Sequence, residues 1–390
     1  MNDEKTIDSI PIDLFHEIFS RVPMKSIGRC RCVSKQWSSI LVRQDFMELF
    51  LTKSSTCPRL LIAARKRHND EWLFYLSPHP HNYNEKSSVI AAEFQAKFLK
   101  TTSGFRSGCR VLYASGFFYF SNVLISNNND EDSVAVICNP LTGSFFMFDP
   151  ISKEFKVLVI NILVNNETVY NILTVGTGIM RWRKIQCPFN HIPTDKGICI
   201  NGVLYYSAEN NVIVCFDVRS EKFRLIDQKY YYHKLINYKG KLGGIMLKYD
   251  YDRLMDSMWT TCELHMCVLE DIEKQEWSQY VYCLPETEDR KRLSVIEMTS
   301  ATSEIALFDF NYTSKPYVYY FSPERKSLHR VEIQVVGDKC VGGYYTFIVD
   351  HVEDLGVNDK HLKLSIYDHR IVASFESINK FDTLCRLDDE

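Results

Sequence analysis

The chain changes texture near residue 55. Before it, apolar residues return every three or four positions; after it, they alternate or run in short blocks closed by turn residues. In IPIDLFHEIFSRVP, Leu14, Ile18 and Val22 fall one helical turn apart, with Phe15 and Phe19 beside them. That spacing predicts an amphipathic helix with a wide apolar stripe. Pro11 suits the first turn, where a missing N–H costs nothing, and Pro23 is expected to stop the helix. Asp13 and Glu17 suit the positive N-terminal end of the helix dipole. In MKSIGRCRCVSKQWSSIL, Ile27, Cys30, Val33, Trp37 and Ile40 keep a helical period, and a break near Ser34 splits it into two helices. DFMELFLTK adds a further turn or two. About fifty residues with such wide apolar faces are marginal alone. The surplus apolar surface invites a partner.

From about residue 57 the pattern is that of hairpins. VAVICNPLTGSFFMF (134–148), VIVCFDVRSEKFRLI (212–226), MCVLEDIEKQEWSQY (266–280) and YVYYFSPERKSLHRVEI (317–333) each read as an apolar strand, a turn of about five residues and a second strand. A second phrase precedes them: RVLYASGFFYF, GICINGVLYYSA, INYKGKLGGIML and EIALFDF. Blocks recurring at about 50 residues fit the period of propeller blades. The expected fold is therefore α+β and multidomain: a small helical unit, then a mainly-β domain, a β-propeller of about six blades, with a sandwich or mixed sheet as the alternative. The boundaries drawn are 5–54 for the helical domain, 57–375 for the β-rich domain and 376–390 for a flexible tail.

Composition narrows the function. The formal net charge is −3, with 45% hydrophobic and 24% charged residues, which gives no electrostatic case for nucleic acid or an anionic membrane. Arg29, Arg31 and Lys35 suggest a solvated or rim-contact face more than a DNA-reading helix, because acids and bases balance across the helical unit. No apolar run is long enough for a membrane span, and the polar, acidic start lacks the form of a secretory signal, so a nuclear or cytoplasmic protein is expected. The 13 cysteines have no framework spacing. Cys138, Cys199 and Cys215, set in apolar runs, read as small buried hydrophobes. Cys30–Cys32 and Cys262–His265–Cys267 lack the second pair that a zinc site needs, so no metal and no cofactor is expected. Sequons at Asn166 and Asn311 carry no meaning without export. No nucleophile elbow, phosphate loop or zincin motif occurs; the Gly-x-Gly of VGTGIMRW reads as a turn. No catalytic residues are expected.

The helical segment closely resembles the F-box motif. Ile10-Pro11 is followed by IDLFHEIFSRV, Pro23-Met24-Lys25-Ser26, and Arg29-Cys30-Arg31-Cys32-Val33-Ser34-Lys35-Gln36-Trp37, in the family's order and spacing over about 45 residues. Ile10 and Ile27 stand where the family usually has Leu, and both stay apolar. CNPLTG, GICINGVLYY, IVCFDVRSEKF, YKGKLGGI, VLEDIEKQEWS and YVYYFSPERKSLHRVEI, over about residues 100–355, resemble the F-box-associated repeat domain of plant F-box proteins.

That resemblance implies a non-catalytic substrate receptor of a Skp–cullin–F-box ubiquitin ligase. The helices would bind a Skp-family adaptor, and through it cullin and RING subunits; the β domain would bind a protein substrate whose identity and contact residues the sequence does not give. Pro11, Leu14, Ile18, Val22, Pro23, Ile27, Val33 and Trp37 are the expected adaptor-binding residues, some of them internal to the F-box. Helix-borne apolar anchors at i, i+4 spacing are what a groove-type partner needs. The rival reading from a different class is a stand-alone ligand- or glycan-binding β domain with a non-functional F-box.

Overall fold

A computed structural model describes residues 11–65, 71–78, 87–100, 111–114, 117–127, 130–138, 155–162, 168–175, 180–194, 197–228, 230, 232, 234–251, 259–285, 293–300, 302–309, 316–335, 344–353 and 355. Four helices come first: α1 (Ile12–Phe19), α2 (Met24–Arg31), α3 (Lys35–Leu41) and α4 (Gln44–Thr56). The break expected near Ser34 is a cap: its Oγ accepts from the Trp37 N–H at 3.1 Å, satisfying one donor that a helix start leaves open. Pro11 and Pro23 stand just before α1 and α2, so Pro23 opens the second helix, while α1 has already closed at Phe19. The last helix runs 13 residues, longer than its sequence pattern suggests. Phe46 and Phe50, one turn apart and buried, hold it to the others.

The strands then come in groups: β1 (Arg59–Arg65), β2 (Glu71–Pro78) and β3 (Ser87–Lys100); β4 (Val111–Ala114), β5 (Phe117–Asn127) and β6 (Asp130–Cys138); β7 (Phe155–Ile162), β8 (Thr168–Val175) and β9 (Met180–Ile185). The later groups are β10 (Ile198–Ile200), β11 (Val203–Ala208), β12 (Val212–Asp217) and β13 (Phe223–Asp227); then β14 (Lys234–Tyr238), β15 (Lys241–Tyr251), β16 (Trp259–Asp271) and β17 (Glu276–Cys283). The last group is β18 (Leu293–Met298), β19 (Ile305–Asp309), β20 (Tyr317–Ser322) and β21 (Ser327–Val335), with β22 (Tyr344–His351) at the end. Each group is an antiparallel meander, and β22 returns to pair antiparallel with β1, taking the first place in the first unit. Among the described residues this makes six units. The leading strands β10, β14, β18 and β22 lie side by side in that order, the arrangement of propeller blades about a common axis. The first and sixth units are also joined at their outer edge, where Arg330–Val335 of β21 runs parallel to Ser87–Ala92 of β3.

The repeat seen in sequence is a repeat of turn chemistry. Asp217 accepts from the N–H groups of Arg219 and Ser220, Asp271 from those of Glu273 and Lys274, and Ser322 from that of Arg325. Four residues on from each, Glu221, Gln275 and Lys326 take a positive φ of 56°, 53° and 50°. Side-chain acceptance followed by a left-handed residue closes each five-residue turn. In CNPLTG, Asn139 and Gly143 hold the same two sequence places but lie outside the described residues. Asn201-Gly202 and Lys239-Gly240 have positive φ at both positions, as a two-residue turn matched to strand twist requires.

The core lies between the faces of successive units. Ile62, Tyr75, Ile296, Val318, Tyr320 and Val349 fill the space between the first and sixth; Ile245, Leu264, Met266, Leu307 and Phe321 that between the fifth and sixth. Gly244 on β15 faces the buried Tyr232 ring so closely that a Cβ there would overlap it. Gly244→Ala is therefore expected to cost about 1–3 kcal/mol through overpacking, read as a lowered Tm. Between the third and fourth units, His191 sits buried with Tyr170 Oη 3.0 Å from Nδ1 and Tyr206 Oη 2.7 Å from Nε2. Burial holds this imidazole below its ordinary pKa, and its two nitrogens link strands of adjacent units. Cys215 is buried as expected, whereas Cys199 is exposed, because its strand β10 turns alternate side chains to the surface. The burial of Cys138 lies outside the described residues.

At the end of β22, the fully buried His351 has its pKa driven down to about 3, by burial first and by the nearby Arg59 second. The unfolded chain takes up a proton below about pH 6.5 while the folded one does not, so this contribution to stability is complete above pH 6.5 and is lost on acidification. Between pH 7 and pH 5 the stability advantage of the natural chain over His351→Gln should shrink by about 2 kcal/mol. Denaturant unfolding of both at the two pH values measures it; a pH-independent difference would show that His351 is not held neutral.

Candidate functional site

Helix α1 is apolar on two sides. Phe15 and Phe19 point inward, their rings 4.2 Å apart, and Trp37 meets both edge-on at 5.5 Å and 4.8 Å. With Met24, Ile27, Leu41, Phe46 and Phe50 they form the core of the helical unit. On the other side Leu14 is 55% exposed and Ile18 51% exposed, one helical turn apart. Branched apolar side chains at i, i+4 spacing on one open helix face have the form that a groove-type partner can take up.

The eight residues singled out in the sequence divide accordingly. Leu14 and Ile18 are exposed, as are Pro11, Pro23 and Val33, the last at 64% in the turn between α2 and α3. Ile27 is wholly internal, and Val22 and Trp37 are half-buried against the same core. The helical period put all of them on one list because a helix apolar on two sides gives a single broad stripe. Ile12, 41% exposed, was missed: three residues before the buried Phe15, it reads in sequence as one more core position.

Glu17 accepts from Lys53 at 2.6 Å and from Arg21, and these two bonds, Lys53 first, hold its carboxyl below the usual range. Arg31 donates to the Leu41 carbonyl at 2.9 Å, which ties α2 to α3, while Arg29 and Lys35 are exposed. Cys262 and Cys267 of β16 pack into two different cores, one on each side of the strand, and His265 bonds Glu263 at 2.9 Å. The three do not converge on a point. Among the described residues no group of three or more His, Cys, Asp or Glu side chains is placed to hold a metal ion.

The chain thus joins a four-helix unit with an open apolar face to a propeller whose last strand, β22, pairs with its first, β1. Comparison with known families agrees on both modules. Residues 7–49 match the F-box domain, and residues 59–352 match the "F-box associated beta propeller domain". The chain belongs to the F-box proteins that carry this propeller. It is 51% identical to the "Putative F-box protein At1g30925" of Arabidopsis thaliana, over 93% of this chain and 69% of that protein. It is 45% identical to the "F-box only protein 12" of the same plant, over 92% of this chain and 84% of that protein. Among solved structures, a post-proline cleaving enzyme from Rickettsia typhi aligns with a TM-score of 0.31 at 8% identity, covering 71% of this chain and 45% of that one, a likeness that carries no argument about function.

Proposed function

We propose that the chain is a substrate-recognition subunit of a Skp–cullin–F-box ubiquitin ligase. The observation that carries this reading is the open apolar face of α1, Leu14 and Ile18, on a matched F-box whose other side is already packed. A Skp-family adaptor covers that face and links the chain to cullin and RING subunits. The propeller holds a target protein so that its lysines dwell near the ubiquitin-charged enzyme. The work is done by effective concentration and orientation, and no covalent step falls to this polypeptide.

The turns at the F-box end and the connections between units differ in a way that bears on where a target binds. At the F-box end the turns of neighbouring units are tied together: Asn201 to the Gly240 carbonyl at 3.2 Å, Lys239 to Glu324 at 3.3 Å, Arg224 to Glu273 at 3.0 Å, and the Ser300 N–H to Asp350. The connections between successive units are mostly longer in sequence than these turns and are the natural place for specificity.

The test is co-expression of the full chain with a Skp-family adaptor. A stoichiometric complex on size exclusion supports the reading. If the chain elutes alone, the alternative stands, a free propeller with a non-functional F-box.

A further inference from the structure

The helical unit does not complete its own core. Leu355, from beyond the last propeller strand, is buried among Phe15, Phe19, Met24, Ile27, Leu41, Phe46 and Phe50. Two residues earlier, the buried Glu353 bridges three parts of the chain. Its Oε1 accepts from the Met24 N–H at 3.3 Å, its own N–H donates to Ser54 Oγ near the end of α4 at 2.7 Å, and its Oε2 lies 4.0 Å from Arg59 Nε at the start of β1. Met24 opens α2, whose cap position is Pro23, with no side chain to satisfy the helix start. Glu353 therefore supplies an acceptor where the helix presents unpaired N–H groups. Lys25 makes a further tie, donating to the carbonyls of Phe94 and Gln95 on β3 at 3.3 Å and 3.2 Å.

These contacts depend on closure of the propeller. Leu355 lies four residues past His351, and four residues reach at most about 14 Å. It arrives at the F-box only when β22 is seated on β1, where His351 pairs with Arg59, three residues after α4 ends. An open propeller leaves the F-box core short of a large side chain and leaves α2 without its distant cap. We infer that Glu353 and Leu355 are structural members of the F-box, so that the chain presents a competent adaptor face only after its propeller has closed. The functional half of this inference rests on the adaptor-binding reading above; the structural half does not. Its consequence for a ligase is that unclosed or C-terminally truncated receptors are kept out of the complex.

The experiment compares the full natural chain with Leu355→Asp and Glu353→Ala, by amide hydrogen exchange and by affinity for a Skp-family adaptor. Expected are faster exchange throughout α1–α4, retained protection in β14–β17, and adaptor affinity down roughly tenfold or more, because the competent fraction of the F-box falls. Leu355→Met should restore both. Should Leu355→Asp fail to fold, Leu355→Ala asks the same question with a smaller perturbation. Unchanged helix protection in folded Leu355→Asp and Glu353→Ala overturns the inference, whatever the adaptor does. If the natural chain binds no adaptor but the helices still lose protection in the variants, the coupling stands and the ligase reading falls.

Discussion

Leu14→Asp, made in the full chain, is expected to weaken adaptor binding by roughly a hundredfold or more, with the fold intact. The two halves of that expectation come from one observation. Leu14 is more than half exposed on α1 and takes no part in the F-box core, so substitution there disturbs no internal packing; surface changes of this kind usually stay within about 0.5 kcal/mol of stability. In a complex the same side chain would be desolvated against an apolar groove, where a carboxylate has no partner and its burial is costly. Ile18→Asp, one turn along, should behave alike. Ile27→Asp is the instructive contrast: Ile27 is fully buried, so that variant should lose adaptor binding by unfolding the helical unit. Titration calorimetry with a Skp-family adaptor, beside circular dichroism of the free chains, separates the two cases. Undiminished binding by both Leu14→Asp and Ile18→Asp would remove α1's open face from the interface.

The contrast between Leu14 and Ile27 also marks what the sequence could convey. The helical period, the capping Ser34 and the Asp- or Ser-led turns at 217, 271 and 322 are local signals, and each is where its pattern put it, because caps and turns are made by residues a few positions apart. The repeated strand–turn–strand organisation was legible for the same reason: it repeats one local grammar, although the number of units, about six in the sequence reading, was not fixed by the four repeats the pattern showed. What the sequence left open depends on contacts between distant residues. Period alone does not say which apolar side of α1 is covered, since that depends on α3, α4 and Leu355. That Glu353 caps α2 was illegible altogether: an acceptor from so far along the chain leaves no trace in the pattern around Pro23. The pairing of β22 with β1, and of β21 with β3, was hidden likewise, because the alternation of a strand reports its two faces and not its neighbours.

Closure by β22 carries the second large effect. Ile62 lies at the centre of β1, opposite Tyr75 of β2 on one side and Phe347 of β22 on the other, and it is wholly buried in the core between the first and sixth units. Ile62→Ala should cost about 2–5 kcal/mol, the lost transfer energy of the removed methyl groups plus the cavity they leave, a large share of the 5–15 kcal/mol that usually holds a domain together. The site has little room to collapse, since strands pair on both sides of β1 and fix its backbone. Denaturant unfolding should show a lowered midpoint with the slope preserved. If ring closure and the F-box are one cooperative unit, the helices should unfold in the same transition as the sheet, followed by far-ultraviolet circular dichroism for the whole chain and by amide hydrogen exchange in α1–α4 for the helices. Two separated transitions would mean that the helical unit stands without the propeller, and a loss under about 1 kcal/mol would mean that β22 contributes little to holding the propeller shut. A single, strongly shifted transition would place the weak point of the whole protein at the seam where its last strand meets its first, beside the F-box helices.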